Sequence, residues 1–125
     1  MDKNRREMNM IKGIGLDIVE MSRIEMIMKR HGKFIERVLT EKEQAQFHQY
    51  QGWRQVEFLA GRFSAKEAYA KANGTGIGTD LSFQDIEVSK DKLGKPYFSK
   101  PAKVRAHLSI THSKDFAAAQ VIVEE

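Results

Sequence analysis

The stretch GRFSAKEAYAKANGTGIG, residues 61–78, begins with the pattern of a helix and ends in a cluster of glycines. Phe63 and Ala70 share a helix face with Glu67, because residues three and four apart lie on the same side of a helix. That face is otherwise apolar. A carboxylate on it must be paired, protonated or bound to a cation. Glu67 is therefore the first candidate site residue.

Asp17 raises the same question in the segment IKGIGLDIVE, residues 11–20. Apolar residues alternate there with Gly13, Gly15 and Asp17, which predicts a strand. The two glycines leave room on their face for another segment or a ligand to approach the backbone closely. Asp17, which we place at the end of this strand, either caps the next turn or serves as a metal ligand beside that gap.

Both acids also have ordinary structural explanations. Lys71 lies one helical turn after Glu67 and could pair with it, or Glu67 could simply border the apolar stripe. Two carboxylates that met in the fold would suit Mg²⁺, which takes one or two carboxylates with water and substrate phosphates. Spacing alone does not choose between these interpretations.

The segments around these motifs predict an α+β fold with a mainly antiparallel sheet. Two helix starts have the capping-box spacing, Ser22 to Glu25 and Thr40 to Glu43. A long helix is predicted over about residues 55–73, and Gly74 ends it. The strand-like segments are 81–89, 96–99, 106–112 and 116–124.

Composition limits the function classes. The 125 residues fit one domain, residues 10–125, preceded by a charged leader, residues 1–9, which we interpret as disordered or expression-derived. No apolar run is long enough to span a bilayer, so no membrane partner is expected. The absence of cysteine excludes disulfides, zinc-thiolate sites and thiol catalysis, and is compatible with the cytoplasm. The net charge of +4 favours acidic partners.

Three further features have both a structural and a functional interpretation. The GTGIG cluster terminates a helix, or its amides approach a phosphate. His112 lies where an apparent strand meets a turn and is structural, exposed or catalytic. Arg23, Ile27 and Arg30 share a helix face, which is either a solvated surface or an apolar contact with a basic rim for an acidic partner.

Five segments together resemble the holo-[acyl-carrier-protein] synthase family, the short bacterial type of 4′-phosphopantetheinyl transferase. They are GIGLDIVE, EFLAGRFSAKEAYAKANGTGIG, LSFQDIEV, GKPYF and LSITHS, in that order along residues 10–124. The resemblance implies the transfer of phosphopantetheine from coenzyme A to a serine of apo-acyl-carrier protein, with release of adenosine 3′,5′-bisphosphate. This activity supports fatty acid biosynthesis in the cytoplasm.

The resemblance also implies site residues. The family's GxD and KEA acids match Asp17 and Glu67, which would hold Mg²⁺, and Lys71 matches the cation for the leaving group. These three are the predicted catalytic residues, and either Glu67 or a water on the metal accepts the serine proton. The other predicted coenzyme A contacts are Arg62, Gly74, Thr75, Gly76, Pro96 and His112.

The same resemblance implies the partners. The family's first helix receives the acidic carrier protein, so Arg23, Ile27, Arg30 and Lys33 become docking candidates. It also implies a homotrimer with sites between subunits. Two rival functions stay open, a small basic nucleic-acid-binding module and a carrier-protein binder without turnover. The helical placement of the aromatic residues disfavours the first, and the intact acidic pair disfavours the second.

Overall fold

A computed structural model describes residues 10–125 of the chain, so the predicted leader, residues 1–9, lies outside the described residues. The helices are α1 (Met21–Arg30), α2 (Lys33–Val38), α3 (Glu41–Phe47) and α4 (Trp53–Asn73). The strands are β1 (Ile11–Glu20), β2 (Glu87–Lys90), β3 (Pro96–Lys100), β4 (Ala106–His112) and β5 (Phe116–Glu124). A 3₁₀ turn, Phe83–Asp85, precedes β2.

The strands form two antiparallel sheets. One has the order β1-β5-β4, and the other pairs β2 with β3. Helix α4 packs across the three-stranded sheet. The predicted α+β class with a mainly antiparallel sheet is confirmed, and the predicted bounds of β4 and β5 agree with the structure.

Two glycines of β1 explain how α4 comes so close to the sheet. A Cβ atom on Gly13 would lie 1.9 Å from the carbonyl oxygen of Ala72, and one on Gly15 would lie 1.8 Å from that of Ala68. No side chain fits in that space. The gap that the sequence predicted beside Asp17 is therefore filled by the backbone of α4, which brings Asp17 next to this helix.

The outer face of the same sheet is apolar and exposed. Ile14, Leu16 and Ile18 are 58%, 64% and 66% exposed. Their partners on β5 are Ile122, Gln120 and Ala118. The inner face of β5, by contrast, is buried against α4. One side of this sheet therefore contributes to the core while the other presents aliphatic side chains to the outside.

Two sequence-based predictions of local structure need correction. Helix α1 begins at Met21 directly after the strand, with no side-chain cap, so the predicted Ser22–Glu25 capping box is absent. The amide of Met21 instead donates to the carbonyl of Asp115, which replaces the cap. Within segment 81–89, the first half is a 3₁₀ turn, and only its end enters β2. The other predicted box, Thr40–Glu43, is present.

Candidate active site

Helix α4 carries two charged side chains that meet a third from β1. The Lys71 ammonium donates to an Asp17 carboxylate oxygen at 3.1 Å and to the carbonyl oxygen of Leu16 at 3.0 Å. Asp17 lies within β1 and not at its end, three residues before the strand finishes. Lys71 thus pairs with Asp17, across the strand–helix contact that the glycines permit.

Glu67 is the third member of this group. Burial raises the pKa of its carboxyl group, the negative charge of Asp17 raises it further, and Lys71 lowers it. These three charges therefore interact. Glu67 is half-buried while Leu59 and Ala70 on the same face are fully buried, so Glu67 borders the apolar stripe.

Several buried polar atoms on α4 and on the neighbouring strand β1 have no hydrogen-bond partner. Among residues 10–125 they are Asp17 Oδ2, Arg62 Nε and Nη2, and Ser64 Oγ. Buried polar groups are nearly always paired, so each such atom calls for an explanation. A carboxylate oxygen without a donor suits a cation, and guanidinium nitrogens without an acceptor suit an anion.

Arg62 lies in a cleft of ≈ 220 Å³ that also contains His112 and Pro96. Its guanidinium carbon is 4.4 Å from the ring centre of Phe58, and its side chain is 4% exposed. Burial lowers its pKa, whereas the carboxylate of Glu43 and the phenol of Tyr50 raise it. The structure thus brings three of the predicted coenzyme A contacts together in one cleft.

Several lining residues of this cleft were missed by the sequence reasoning. Arg54, Glu57, Phe58 and Gly61 follow the i, i+3, i+4, i+7 spacing of one helix face. The sequence alone could therefore have shown that these four residues share one face of the helix. Glu57 lies 3.5 Å from the imidazole of His112, measured to Nδ1, and 3.6 Å from the guanidinium of Arg54. Other lining residues come from elsewhere in the chain: Tyr50, Lys90, Gly94 and Ile110.

The glycine-rich segment after α4 does not line this cleft. Gly74 has φ 84°, which is the left-handed conformation of a helix C-terminus. Its amide donates to the carbonyl of Lys71, and the amides of Thr75 and Gly76 both donate to that of Ala70. These three amides therefore complete the end of the helix, as the helix-terminator interpretation expects, and a contact of Gly74, Thr75 and Gly76 with coenzyme A stays a prediction.

The predicted docking residues lie on one surface. Arg23, Arg30 and Lys33 are exposed, and Ile27 is half-buried. Ile27 and Lys33 line a shallow groove between α1 and α2, together with Phe34. Arg23 and Arg30 do not line this groove, and docking of a carrier protein on this surface stays a prediction.

No group of three or more His, Asp or Glu side chains within residues 10–125 has the arrangement of a metal cluster. Asp17 and Glu67 interact electrostatically, and two carboxylates are the number that Mg²⁺ commonly takes from a protein. Within the same residues, no helix is both long and apolar enough to cross a membrane.

Comparisons with known proteins place this geometry in a family. A sequence model of the 4′-phosphopantetheinyl transferase superfamily matches residues 13–121. The holo-[acyl-carrier-protein] synthase of Anoxybacillus flavithermus is 57% identical over 116 residues, which cover 92% of this chain and 97% of the relative. That of Listeria welshimeri is 55% identical over 117 residues, covering 92% and 99%.

A solved structure agrees with these sequences. The crystal structure of a holo-(acyl-carrier-protein) synthase from Bacillus anthracis, in complex with CoA (3′,5′-ADP), is similar to this chain with a TM-score of 0.87. The two are 53% identical, and the match covers 93% of this chain and 98% of that one. This chain belongs to the 4′-phosphopantetheinyl transferase superfamily and, within it, to the enzymes of the holo-[acyl-carrier-protein] synthase family.

Proposed function

We propose that this chain transfers 4′-phosphopantetheine from coenzyme A to a serine of apo-acyl-carrier protein, with Mg²⁺ held by Asp17 and Glu67. The observation that carries the proposal is the set of buried atoms without partners on and beside α4. One is an acidic oxygen next to a second carboxylate, and two are guanidinium nitrogens in the adjacent cleft. A cation and a polyanion are the two ligands that would satisfy them.

The cleft suits the adenosine 3′,5′-bisphosphate half of coenzyme A. Arg62 lines the cleft and has two buried guanidinium nitrogens without an acceptor, and His112 and Lys90 line the same cleft. Pro96 and Phe58 supply apolar surface for a base. Glu67 comes five positions after Arg62, which is about 7.5 Å along the helix axis and about 140° around it. Glu67 therefore lies on a different side of α4 from the cleft, and a ligand held by Arg62 would have to pass around the helix to bring its diphosphate to the acidic pair.

The transfer forms a bond between the serine oxygen and the phosphorus nearest the pantetheine arm. The bond from that phosphorus to the bridging oxygen breaks, and adenosine 3′,5′-bisphosphate leaves with the electron pair. Lys71 neutralises charge on the leaving group, and Arg62 holds the bisphosphate. Either Glu67 or a water molecule at the metal site would accept the serine proton. A Mg²⁺ ion between the acids would neutralise the diphosphate as negative charge spreads over it.

The test is a direct assay of transfer. Apo-acyl-carrier protein, coenzyme A and Mg²⁺ are mixed with the enzyme, and mass spectrometry detects the added phosphopantetheine. Chelator and Glu67→Gln should each abolish modification, while Glu41→Gln, an exposed glutamate on α3, should leave it unchanged. A fully active Glu67→Gln variant would refute the metal assignment. Binding of carrier protein without modification would support the non-catalytic alternative.

The surface on α1 and α2 is the docking site for the acidic carrier protein. Exposed Arg23 and Arg30 meet its acidic residues, and Ile27 and Phe34 supply the apolar centre. Arg23→Glu should weaken carrier binding at least tenfold while coenzyme A binding is retained, and raised salt should reduce carrier binding similarly. Lys103→Glu, a matched exposed charge reversal, serves as the control. Equal losses for both ligands would reject this surface.

The exposed sheet face of Ile14, Leu16 and Ile18 is the contact between subunits of a homotrimer. A large exposed aliphatic face is unusual in a monomer. Sedimentation equilibrium should give three times the chain mass, and Leu16→Asp should give a smaller assembly. A wild-type monomer would contradict this assignment. We assign the enzyme to the cytoplasm, where its substrates are made.

A further inference from the structure

Lys71 occupies an unusual position for a side chain expected to bind a phosphate. Its ammonium group contacts Asp17 Oδ1 at 3.1 Å and the Leu16 carbonyl oxygen at 3.0 Å. The Asp17 side chain is only 13% exposed, whereas that of Lys71 is 51% exposed. The carboxylate is thus fixed between strand and helix, and the lysine reaches it from the solvent side on a flexible stem.

The contact leaves Asp17 half satisfied. Its second oxygen, Oδ2, is buried and has no hydrogen-bond partner. Glu67 adds a second negative charge that repels Asp17, and Lys71 counters both. Within residues 10–125, the Lys71 ammonium therefore offsets the negative charges of both Asp17 and Glu67.

We propose that Lys71 is an exchangeable internal cation, which neutralises the acidic pair in the metal-free enzyme and leaves Asp17 when a divalent ion binds. The released ammonium then reaches the diphosphate of coenzyme A. The inference rests on the proposed function, because it requires that Asp17 and Glu67 be the metal ligands. It gives Lys71 two successive partners instead of one.

The exchange has a thermodynamic consequence. In the exchange, Lys71 leaves Asp17 to bind a phosphate, and a divalent ion on the carboxylates favours that release. Metal and coenzyme A should therefore each strengthen the binding of the other, and by the same factor. A direct contact between metal and diphosphate contributes to this factor as well. The part due to Lys71 is the part that disappears when the ammonium is removed.

Binding of Mn²⁺ to the metal-free enzyme, followed by electron paramagnetic resonance, tests the first step. Lys71→Met removes the competing ammonium and keeps the apolar stem. We expect it to tighten Mn²⁺ binding between about twofold and fivefold, the range for a partly exposed ion pair. Lys103→Met removes an exposed charge elsewhere and should leave Mn²⁺ affinity unchanged. Unchanged or weaker Mn²⁺ binding by Lys71→Met would overturn the proposal.

The second measurement repeats the titration with saturating coenzyme A, corrected for Mn²⁺ bound by coenzyme A alone. In the wild type, coenzyme A should raise Mn²⁺ affinity, and in Lys71→Met the increase should be smaller. An equal increase in both would overturn the proposal. Thermal unfolding of each variant checks that the fold persists, which the exposure of Lys71 favours.

A third variant separates this inference from the proposed function. Asp17→Asn should lose Mn²⁺ binding if Asp17 is a ligand. Should Asp17→Asn lose Mn²⁺ while Lys71→Met gains nothing, the metal site stands and the exchange fails. Should Asp17→Asn bind Mn²⁺ as the wild type does, the metal site itself is wrong and the exchange falls with it.

Discussion

Two lysine–carboxylate pairs on helix α4 differ in almost every physical respect. Lys66 and Glu43 are both fully buried, and their charged atoms lie 2.6 Å apart. Lys71 comes five residues after Lys66 on α4. Its ammonium nitrogen lies near the surface, 3.1 Å from a carboxylate oxygen of Asp17 on β1. The two lysines belong to the same short motif, KEAYAK, and look equivalent in the sequence.

In the buried pair, the ammonium has three acceptors and both carboxylate oxygens have donors. The Lys66 ammonium donates to Glu43 and to the carbonyl oxygens of Val38 and Phe83. Glu43 also accepts from the amides of Thr40 and Val88. This pair joins α2, α3 and the start of β2 to α4, so its role is structural.

The second pair is unsaturated, with one Asp17 oxygen lacking a donor and a second acid nearby. The comparison teaches that a charge on an apolar helix is structural when its partners are complete and functional when they are not. The following predictions test that rule, beginning with the largest effect.

Lys66→Met should destabilise the fold by about 3–5 kcal/mol, because it leaves the Glu43 carboxylate buried without its counter-charge. Burial also lowers the pKa of Lys66, because removing the ammonium from water disfavours its charged form. Urea unfolding followed by circular dichroism measures the change. A loss below about 1 kcal/mol would show that the pair is not the structural element described here.

Asp17→Asn should have the opposite effect, with little loss of stability and a large loss of transfer activity. The Lys71 side chain is half-exposed although that of Asp17 is only 13% exposed, and the neutral amide leaves no buried charge, so the free energy of unfolding should change by about 1 kcal/mol or less. Transfer activity should fall at least a hundredfold, on the scale of losing one electrostatic group at a reacting phosphate. Comparing urea midpoints with kcat/KM at saturating Mg²⁺ checks both parts. Strong destabilisation with retained activity would reverse the assignment of the two pairs.

The smallest effect concerns pH. The pKa of Glu67 is raised in the fold, so between its unfolded and folded pKa values the native state binds more protons than the unfolded state. Metal-free wild-type stability should therefore fall as pH rises through that window, which begins near pH 4.5. Glu67→Gln should show a weaker decline, and Mg²⁺ should offset the wild-type loss. Identical pH profiles for both proteins would exclude this interaction.

The sequence predicted much of the architecture because some helices begin or end at residues whose own side chain or backbone conformation sets the boundary. Gly74 ends α4 with a positive φ, and Thr40 caps α3 through Glu43. The Ser22 cap failed because Met21 finds its acceptor at Asp115, ninety-odd residues away, which no local pattern reveals.

The residues of the candidate site likewise fall into those that the sequence could predict and those that it could not. Asp17 and Glu67 could be predicted because an acid among apolar or glycine positions is conspicuous. Lys66 could not be singled out, since its burial depends on carbonyl groups supplied by other segments. Lys90 and Gly94 reach the cleft only through the β2–β3 hairpin, so their contribution is set by tertiary packing.

The most direct test is a crystal structure of the enzyme grown with Mn²⁺ and coenzyme A. Anomalous scattering should give one peak within about 2.3 Å of a carboxylate oxygen from both Asp17 and Glu67. The Lys71 ammonium should have left Asp17 for the diphosphate, and the bisphosphate should contact Arg62. A peak away from these acids, with Lys71 still on Asp17 and the diphosphate held elsewhere, would contradict the account.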